Sequence, residues 1–310
     1  MQLLEGLKRK DLRALAKAIS LAENDPLSCE RVFGEIISQP PGSYKIGLTG
    51  PPGSGKSTLI RSIISRAVKE GFSVGVLAVD PSSPFSGGAL LADRLRISIP
   101  DFDPSRVFIR SLSSRGHLGG LSPGIVTSVK LMDYYGFDFL LLETVGVGQA
   151  EVEVMYLADL VGVVLVPNLG DDIQAMKSGL MEVADFFLIN KCTLPGAEKL
   201  RMELESLIGS SPRFLNARWI PPVFSTDALT GEGLDELWEF LKGIPKNQNF
   251  LEVLEKKRRR QAYFQVFQSL MNFFRMKVED SLKPESFDRY SPETVRGLIK
   301  KITDTLKEDE

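Results

Sequence analysis

The eight residues Gly50-Pro51-Pro52-Gly53-Ser54-Gly55-Lys56-Ser57 have the types and spacing of a phosphate cradle. They fit the pattern G-x-x-x-x-G-K-[ST]. A short apolar run, Lys45 to Thr49, precedes them, and a helical stretch, Thr58 to Val68, follows. That strand-loop-helix context is what the pattern requires. Glycines let backbone N–H groups close around phosphate oxygens, and the helix start adds the positive end of its dipole. Lys56 is expected to reach the β- and γ-phosphates, and the Ser57 hydroxyl to bind Mg2+. Thr58 completes the nucleotide-binding set from this segment. The competing reading is a glycine-rich turn with a surface lysine, and the flanking elements weigh against it.

Two apolar runs end in acids: Leu77-Ala78-Val79-Asp80 and Phe139-Leu140-Leu141-Leu142-Glu143. In an open parallel sheet the carboxyl ends of strands line the ligand crevice. Carboxylates there can hold Mg2+ directly or through water. A single strand-end acid is commonly only a solvated cap, but two of them beside a phosphate loop favour function. Glu143 leads into Thr144-Val145-Gly146-Val147-Gly148-Gln149, and a glycine just after such an acid, Gly146, can offer its N–H to the γ-phosphate.

These residues need strands and helices to hold them. Apolar runs at Lys45–Thr49, Ser73–Val79, Val107–Ile109, Phe137–Leu142, Val161–Val166, Phe186–Ile189 and Pro222–Phe224 alternate with helical stretches. Consecutive apolar positions suit strands covered on both faces. The alternation predicts an α/β fold, a P-loop NTPase with a mostly parallel central sheet flanked by helices. Leu12, Leu15, Ala16 and Ile19, then Val32, Phe33, Ile36 and Ile37, predict helices before the sheet. Gln39-Pro40-Pro41-Gly42-Ser43 breaks that pattern. At the other end Phe264, Phe267, Met271, Phe274 and Val278 form one apolar stripe, and Tyr263, Val266, Leu270 and Phe273 a second. So wide an apolar face must be covered on more than one side. Ser291-Pro292-Glu293 reads as the cap and start of a final helix. The expected organisation is an N-terminal helical extension (1–42), a P-loop domain (43–245) and a C-terminal helical dimerisation region (246–310).

Among 310 residues, 43% are hydrophobic and 25% charged, and the net charge is −2. A near-neutral balance gives no sign of nucleic-acid binding. Two distant cysteines, Cys29 and Cys192, argue against a disulfide framework and for a reducing cytosol. No apolar run is long enough to cross a bilayer, and a cytoplasmic protein away from the membrane is expected.

Three further segments sharpen the reading. They are Val79-Asp80-Pro81-Ser82-Ser83-Pro84 with Gly87-Gly88, then Ser114-Arg115-Gly116-His117-Leu118-Gly119-Gly120, then Glu143 to Gln149. With Arg13 to Ser20 they resemble the MeaB/MMAA (ArgK) family of P-loop GTPases. That family comprises chaperones of cobalamin-dependent acyl-CoA mutases, often labelled arginine/ornithine transport kinases. The resemblance covers nearly the whole chain. It implies GTP as substrate, GDP as product, Mg2+ as cofactor, a mutase as protein partner and a homodimer. By the same resemblance, Lys56, Asp80 and Glu143 look catalytic, and Ser57, Asp80, Asp93 and Glu143 look like the magnesium and water-positioning set. Ser114 to Gly120 and Val145 to Gln149 look like switch segments that sense the γ-phosphate. His117, the only histidine, is read as a loop residue without catalytic duty, and Arg115 is left unassigned. Related nickel-insertion GTPases often carry histidine- or cysteine-rich metal stores. One histidine and two cysteines favour the cobalamin branch instead.

The guanine pocket departs from the expected pattern. Many GTPases read guanine with Asn-Lys-x-Asp, and here Asn190-Lys191 is followed by Cys192-Thr193. A neutral hydroxyl does not replace a charge-assisted bidentate acceptor. In the later loop, Asp227-Ala228 places an aspartate where the family usually has serine. Two readings stand: drift in a pocket of lower selectivity, or a carboxylate moved from one loop to the other. The leading function is a GTP-hydrolysing chaperone that gates adenosylcobalamin loading or protection in an acyl-CoA mutase such as methylmalonyl-CoA mutase. The alternatives are a nucleotide-dependent kinase of a transport (arginine/ornithine) binding protein and a non-enzymatic nucleotide sensor. Neighbouring genes encoding a mutase subunit would favour the first.

Overall fold

A computed structural model describes residues 2–37, 39, 42–80, 103, 105–113, 123–144, 155–168, 181–215, 217–281, 296, 297 and 300. Among these residues seven strands form one sheet: β1 (Tyr44–Thr49), β2 (Val74–Asp80), β3 (Val107–Ser113), β4 (Phe139–Thr144), β5 (Leu160–Leu165), β6 (Phe186–Asn190) and β7 (Val223–Thr226). Their order is β3-β2-β4-β1-β5-β6-β7, and every pairing is parallel. All residues of β1, β4, β5 and β6 are buried, as parallel strands with both faces covered must be. Each strand falls on one of the apolar runs named above.

Helices cover both faces. Residues 2–37 form α1 (Gln2–Lys8), α2 (Leu12–Asn24) and α3 (Pro26–Ile37). Asp11 caps α2 by accepting from the Arg13 N–H at 2.8 Å. Next come α4 (Lys56–Lys69), α5 (Pro123–Tyr135), α6 (Ala197–Ser210), α7 (Leu234–Gly243) and the 34-residue α8 (Gln248–Ser281). Leu59, Ile60, Ile63 and Ile64 of α4 share a core with Leu237, Trp238 and Leu241 of α7 and with Phe250 and Leu254 of α8. Val74 and Val76 of β2 face that core, whereas a Cβ at Gly75 between them would meet Phe137 and Met132 beside and within α5. Alternation along the strand therefore puts α5 on the opposite face. The N-terminal helices α2 and α3 pack against α5. On the other half of the sheet Leu200, Leu204 and Ile208 of α6 pack on Phe187 and Ile189.

The chain divides into two compact units, Met1–Gln261 and Ala262–Glu310. The first holds the sheet, the N-terminal helices and the opening turns of α8. Beyond Gln261, α8 carries Tyr263, Val266, Phe267 and Leu270, all exposed. No helix among the described residues is long and apolar enough to cross a membrane. The final helix expected from Ser291-Pro292-Glu293 begins outside the described residues.

Candidate nucleotide and magnesium site

The loop from Gly50 to Gly55 connects the central strand β1 to α4. Gly53 and Gly55 have φ of 78° and 90°, left-handed values that disfavour any side chain. A Cβ at Gly55 would also overlap the Asn190 amide, and one at Gly50 the carbonyl of Val164. Gly55 is the N-cap of α4, so the helix opens on Lys56 and Ser57 with its first N–H groups directed into the loop. Lys56 is buried, and its ammonium donates to the carbonyls of Gly50 at 2.7 Å and Pro51 at 2.9 Å. Pro51, Pro52 and Ser54 lie in this loop, and Thr58 stands in the first turn of α4.

Glu143 sits near the end of β4 in register with Leu48 of β1 and Ala78 of β2. Ser57 Oγ donates to Glu143 Oε1 at 2.6 Å. Glu143 is 1% exposed, and its Oε2 is buried with no hydrogen-bond partner among the described residues. Burial pushes the Glu143 carboxyl above its ordinary range, against the pull of Ser57 and of the positive charges on Lys56 and Arg61. An orphaned buried carboxylate oxygen beside a hydroxyl is a donor set that fits a hard, oxygen-seeking cation such as Mg2+. Thr144 Oγ1 and Thr49 Oγ1, 3.3 Å apart, link the ends of β4 and β1 behind it.

Asp80 closes β2, in register with Ser113 and one strand away from Glu143. Its side chain, Asp93, Gly146, Arg115, His117 and both expected switch segments lie outside the described residues. The sheet brings Lys56, Ser57 and Glu143 together, although Ser57 and Glu143 are 86 positions apart.

Asn190 ends β6 and Lys191 follows it. Asn190 Nδ2 donates to the Ser54 carbonyl at 2.7 Å, while its Oδ1 accepts from the Ala228 N–H at 3.2 Å. Lys191, with φ of 58°, donates to the Gly53 carbonyl at 3.0 Å. These bonds tie the loops after β6 and β7 to the phosphate loop. In addition Thr193 Oγ1 donates to Asp227 Oδ2 at 2.7 Å. The residue types of that pair were visible in the sequence, but their contact was not.

Comparison with known proteins decides the family. The model for "Methylmalonyl Co-A mutase-associated GTPase MeaB" matches residues 15–282. The chain belongs to the MeaB family. A GTPase-family protein of Pyrococcus abyssi is 42% identical over 307 residues, spanning 98% of this chain and 92% of its own. The mitochondrial methylmalonic aciduria type A homolog of Mus musculus is 33% identical over 262 residues, 78% of this chain and 62% of its own length. A solved structure of an LAO/AO transport system kinase matches with a TM-score of 0.64 at 24% identity, over 99% of this chain and 97% of that one. That likeness establishes the P-loop fold. This MeaB-family chain is accordingly a GTPase, with GTP as substrate and GDP as product.

Proposed function

We propose that this GTPase is a chaperone that gates adenosylcobalamin loading or protection in a cobalamin-dependent acyl-CoA mutase, methylmalonyl-CoA mutase being the representative. The match to a mutase-associated GTPase family over residues 15–282 carries the reading. In it, Lys56 stabilises charge on the transferred phosphoryl group, and the backbone N–H groups of the Gly50–Ser57 loop hold the phosphates. Ser57 and Glu143, with Asp80 and Asp93, would hold Mg2+, which supplies charge neutralisation at the phosphates. Gly146 contacts the γ-phosphate end, and Asn190, Lys191, Asp227 and Ala228 form the base end. The protein works as a homodimer in the cytoplasm, away from membranes and nucleic acid.

Two measurements test this. Lys56→Ala is expected to abolish GTP hydrolysis in a magnesium-containing assay while leaving the circular dichroism spectrum intact. Equal rates would remove Lys56 from the mechanism. Next, hydrolysis by the chain alone is expected to be slow and to rise when methylmalonyl-CoA mutase is added. A charge-stabilising group supplied by a partner adds up to ~10³–10⁵-fold in GTPases. A rate unmoved by saturating mutase would sink the chaperone role and leave the GTPase standing.

A further inference from the structure

The loop after β7 is locked around Asp227. Its N–H donates to the Glu232 carbonyl, and its own carbonyl accepts from the Gly231 N–H, both at 2.9 Å. Its Oδ1 accepts from the backbone N–H groups of Leu229 at 2.9 Å and Thr230 at 3.2 Å. Its Oδ2 accepts from the Thr193 hydroxyl at 2.7 Å. A carboxylate has about four acceptor positions, two on each oxygen. On Asp227 the two of Oδ1 are filled and one of Oδ2 is filled. Among the described residues Asp227 therefore has a single acceptor position left and is not itself a bidentate acceptor. The Thr193 hydroxyl spends its hydrogen on the bond to Asp227, so its oxygen keeps its lone pairs. The two loops thus present two adjacent acceptors, one charged and one neutral, with 2.7 Å between their oxygens.

Guanine carries two adjacent donors on one edge, N1–H and the exocyclic amine, whereas adenine presents an acceptor at N1. We propose that Thr193 and Asp227 together read guanine, each oxygen accepting one of these two donors. The proposal rests on the GTPase reading above and deepens it. The hydroxyl is made a better acceptor by donating to a carboxylate, since chained hydrogen bonds polarise one another. The Thr193 hydrogen bond, the two backbone donors and the Lys191 charge hold the Asp227 carboxyl below its ordinary range, against the effect of burial. The charge is therefore present at neutral pH. Asn190 and Lys191 place the pair on the same loop assembly as the phosphate cradle. Each acceptor is followed within two residues by an exposed leucine, Leu194 and Leu229, which is apolar surface suited to the flat face of a purine. The competing account is that the pair only fastens one loop to the other.

The test is equilibrium binding of GDP, IDP and ADP to the full chain with Mg2+, followed by calorimetry. The wild type is expected to prefer GDP, and to bind IDP, which lacks the amine, about tenfold more weakly. Thr193→Val keeps the size and removes the oxygen. It is expected to lower GDP affinity about tenfold with ADP affinity unchanged, and Thr193→Ser to restore it. Asp227→Asn is expected to lower GDP affinity by about 10- to 100-fold, because the lost acceptor is charged. A GDP/ADP ratio within twofold of wild type in Thr193→Val overturns the proposal, as does a fall in which GDP and ADP weaken together. The reciprocal exchange, Thr193→Asp with Asp227→Thr, is expected to retain guanine preference that Thr193→Asp alone loses. A wild type that prefers ADP would overturn the GTPase reading instead, so the two failures are distinguishable.

Discussion

A carboxylate held in the dry end of a sheet is a cost that function explains. Glu143 has one oxygen bonded to Ser57 and the other buried with no partner among the described residues. Ionising such a group in a low-dielectric site is unfavourable, which is why its proton is held more tightly than usual. Glu143→Gln keeps the shape and the acceptor for Ser57 while removing the charge. The nucleotide-free variant is expected to melt higher, by about 2–4 °C for each kcal/mol regained. Its GTP hydrolysis is expected to fall by ~10²-fold or more, as when one preorganised electrostatic group is lost. A lower melting temperature with hydrolysis intact would refute both halves. At this scale the sequence was informative wherever chemistry is contiguous. Gly50 to Ser57 is a local pattern, and Glu143 ends an apolar run. The Ser57–Glu143 and Thr193–Asp227 contacts join distant segments, and only the packed sheet creates them. The sequence raised the idea of a carboxylate relocated to Asp227. It did not disclose that Leu229 and Thr230 already occupy one of that carboxylate's oxygens.

Elements meet a different problem at the far end of the sheet, where strands begin. Asp159, fully buried just before β5, receives both Nε and Nη2 of Arg258 on α8, at 2.8 and 3.0 Å. Lys45 of β1 stands 3.3 Å from Asp159 and 3.1 Å from Asp133 of α5. Lys257 pairs with Asp185, and Gln261 donates to the Ala158 carbonyl at 2.6 Å. With Phe250 and Leu254 in the core, these bonds root the first turns of α8 on the sheet. Arg258→Met is expected to be destabilising in urea unfolding by less than the about 3–5 kcal/mol of a fully stripped buried charge, because it removes the two-pronged partner of Asp159 and leaves Lys45. Burial alone would raise the Asp159 carboxyl, but Arg258 and Lys45 overcome it and hold the group below its ordinary range. A depressed folded-state value means the stabilisation is full above the unfolded carboxylate range and is lost as pH falls through the folded value. The difference between wild type and Arg258→Met is therefore expected to shrink on acidification. A constant difference from neutral pH to acid would contradict the assignment. The seven strands were readable in advance because runs apolar on both faces have few other homes. The rooting of α8 was not, because an aspartate ahead of an apolar run looks like any turn residue until the helix that pairs with it is in place.

Across the whole molecule, the question is what covers α8 beyond Gln261. Tyr263, Val266, Phe267 and Leu270 follow i, i+3, i+4, i+7 spacing and are 74%, 60%, 49% and 51% exposed. That spacing puts four large apolar side chains on one helical face. An exposed apolar stripe of this kind marks an interaction surface. An intramolecular bundle with the N-terminal helices is the competing account. Yet α2 and α3 already pack against α5, with Ala14, Leu15, Ala18, Ile19 and Ala22 of α2 buried. A second copy of the chain, offering the same stripe, is the occupant proposed for this face, since a closed two-fold pairing would cover both stripes at once. Light scattering on the full chain is expected to give twice the 34.3 kDa chain mass at micromolar concentration. The informative truncation ends at Gln261 rather than near Pro245. Cutting earlier would remove Phe250, Leu254 and Arg258, and would confuse lost pairing with lost folding. The chain ending at Gln261 is expected to be monomeric and to hydrolyse GTP at the basal rate. Phe267→Glu with Leu270→Glu in the full chain is expected to give the same monomer, since burying two carboxylates in an apolar seam is unfavourable. A full-length monomer, or a dimer that survives both changes, would rule out pairing through this face.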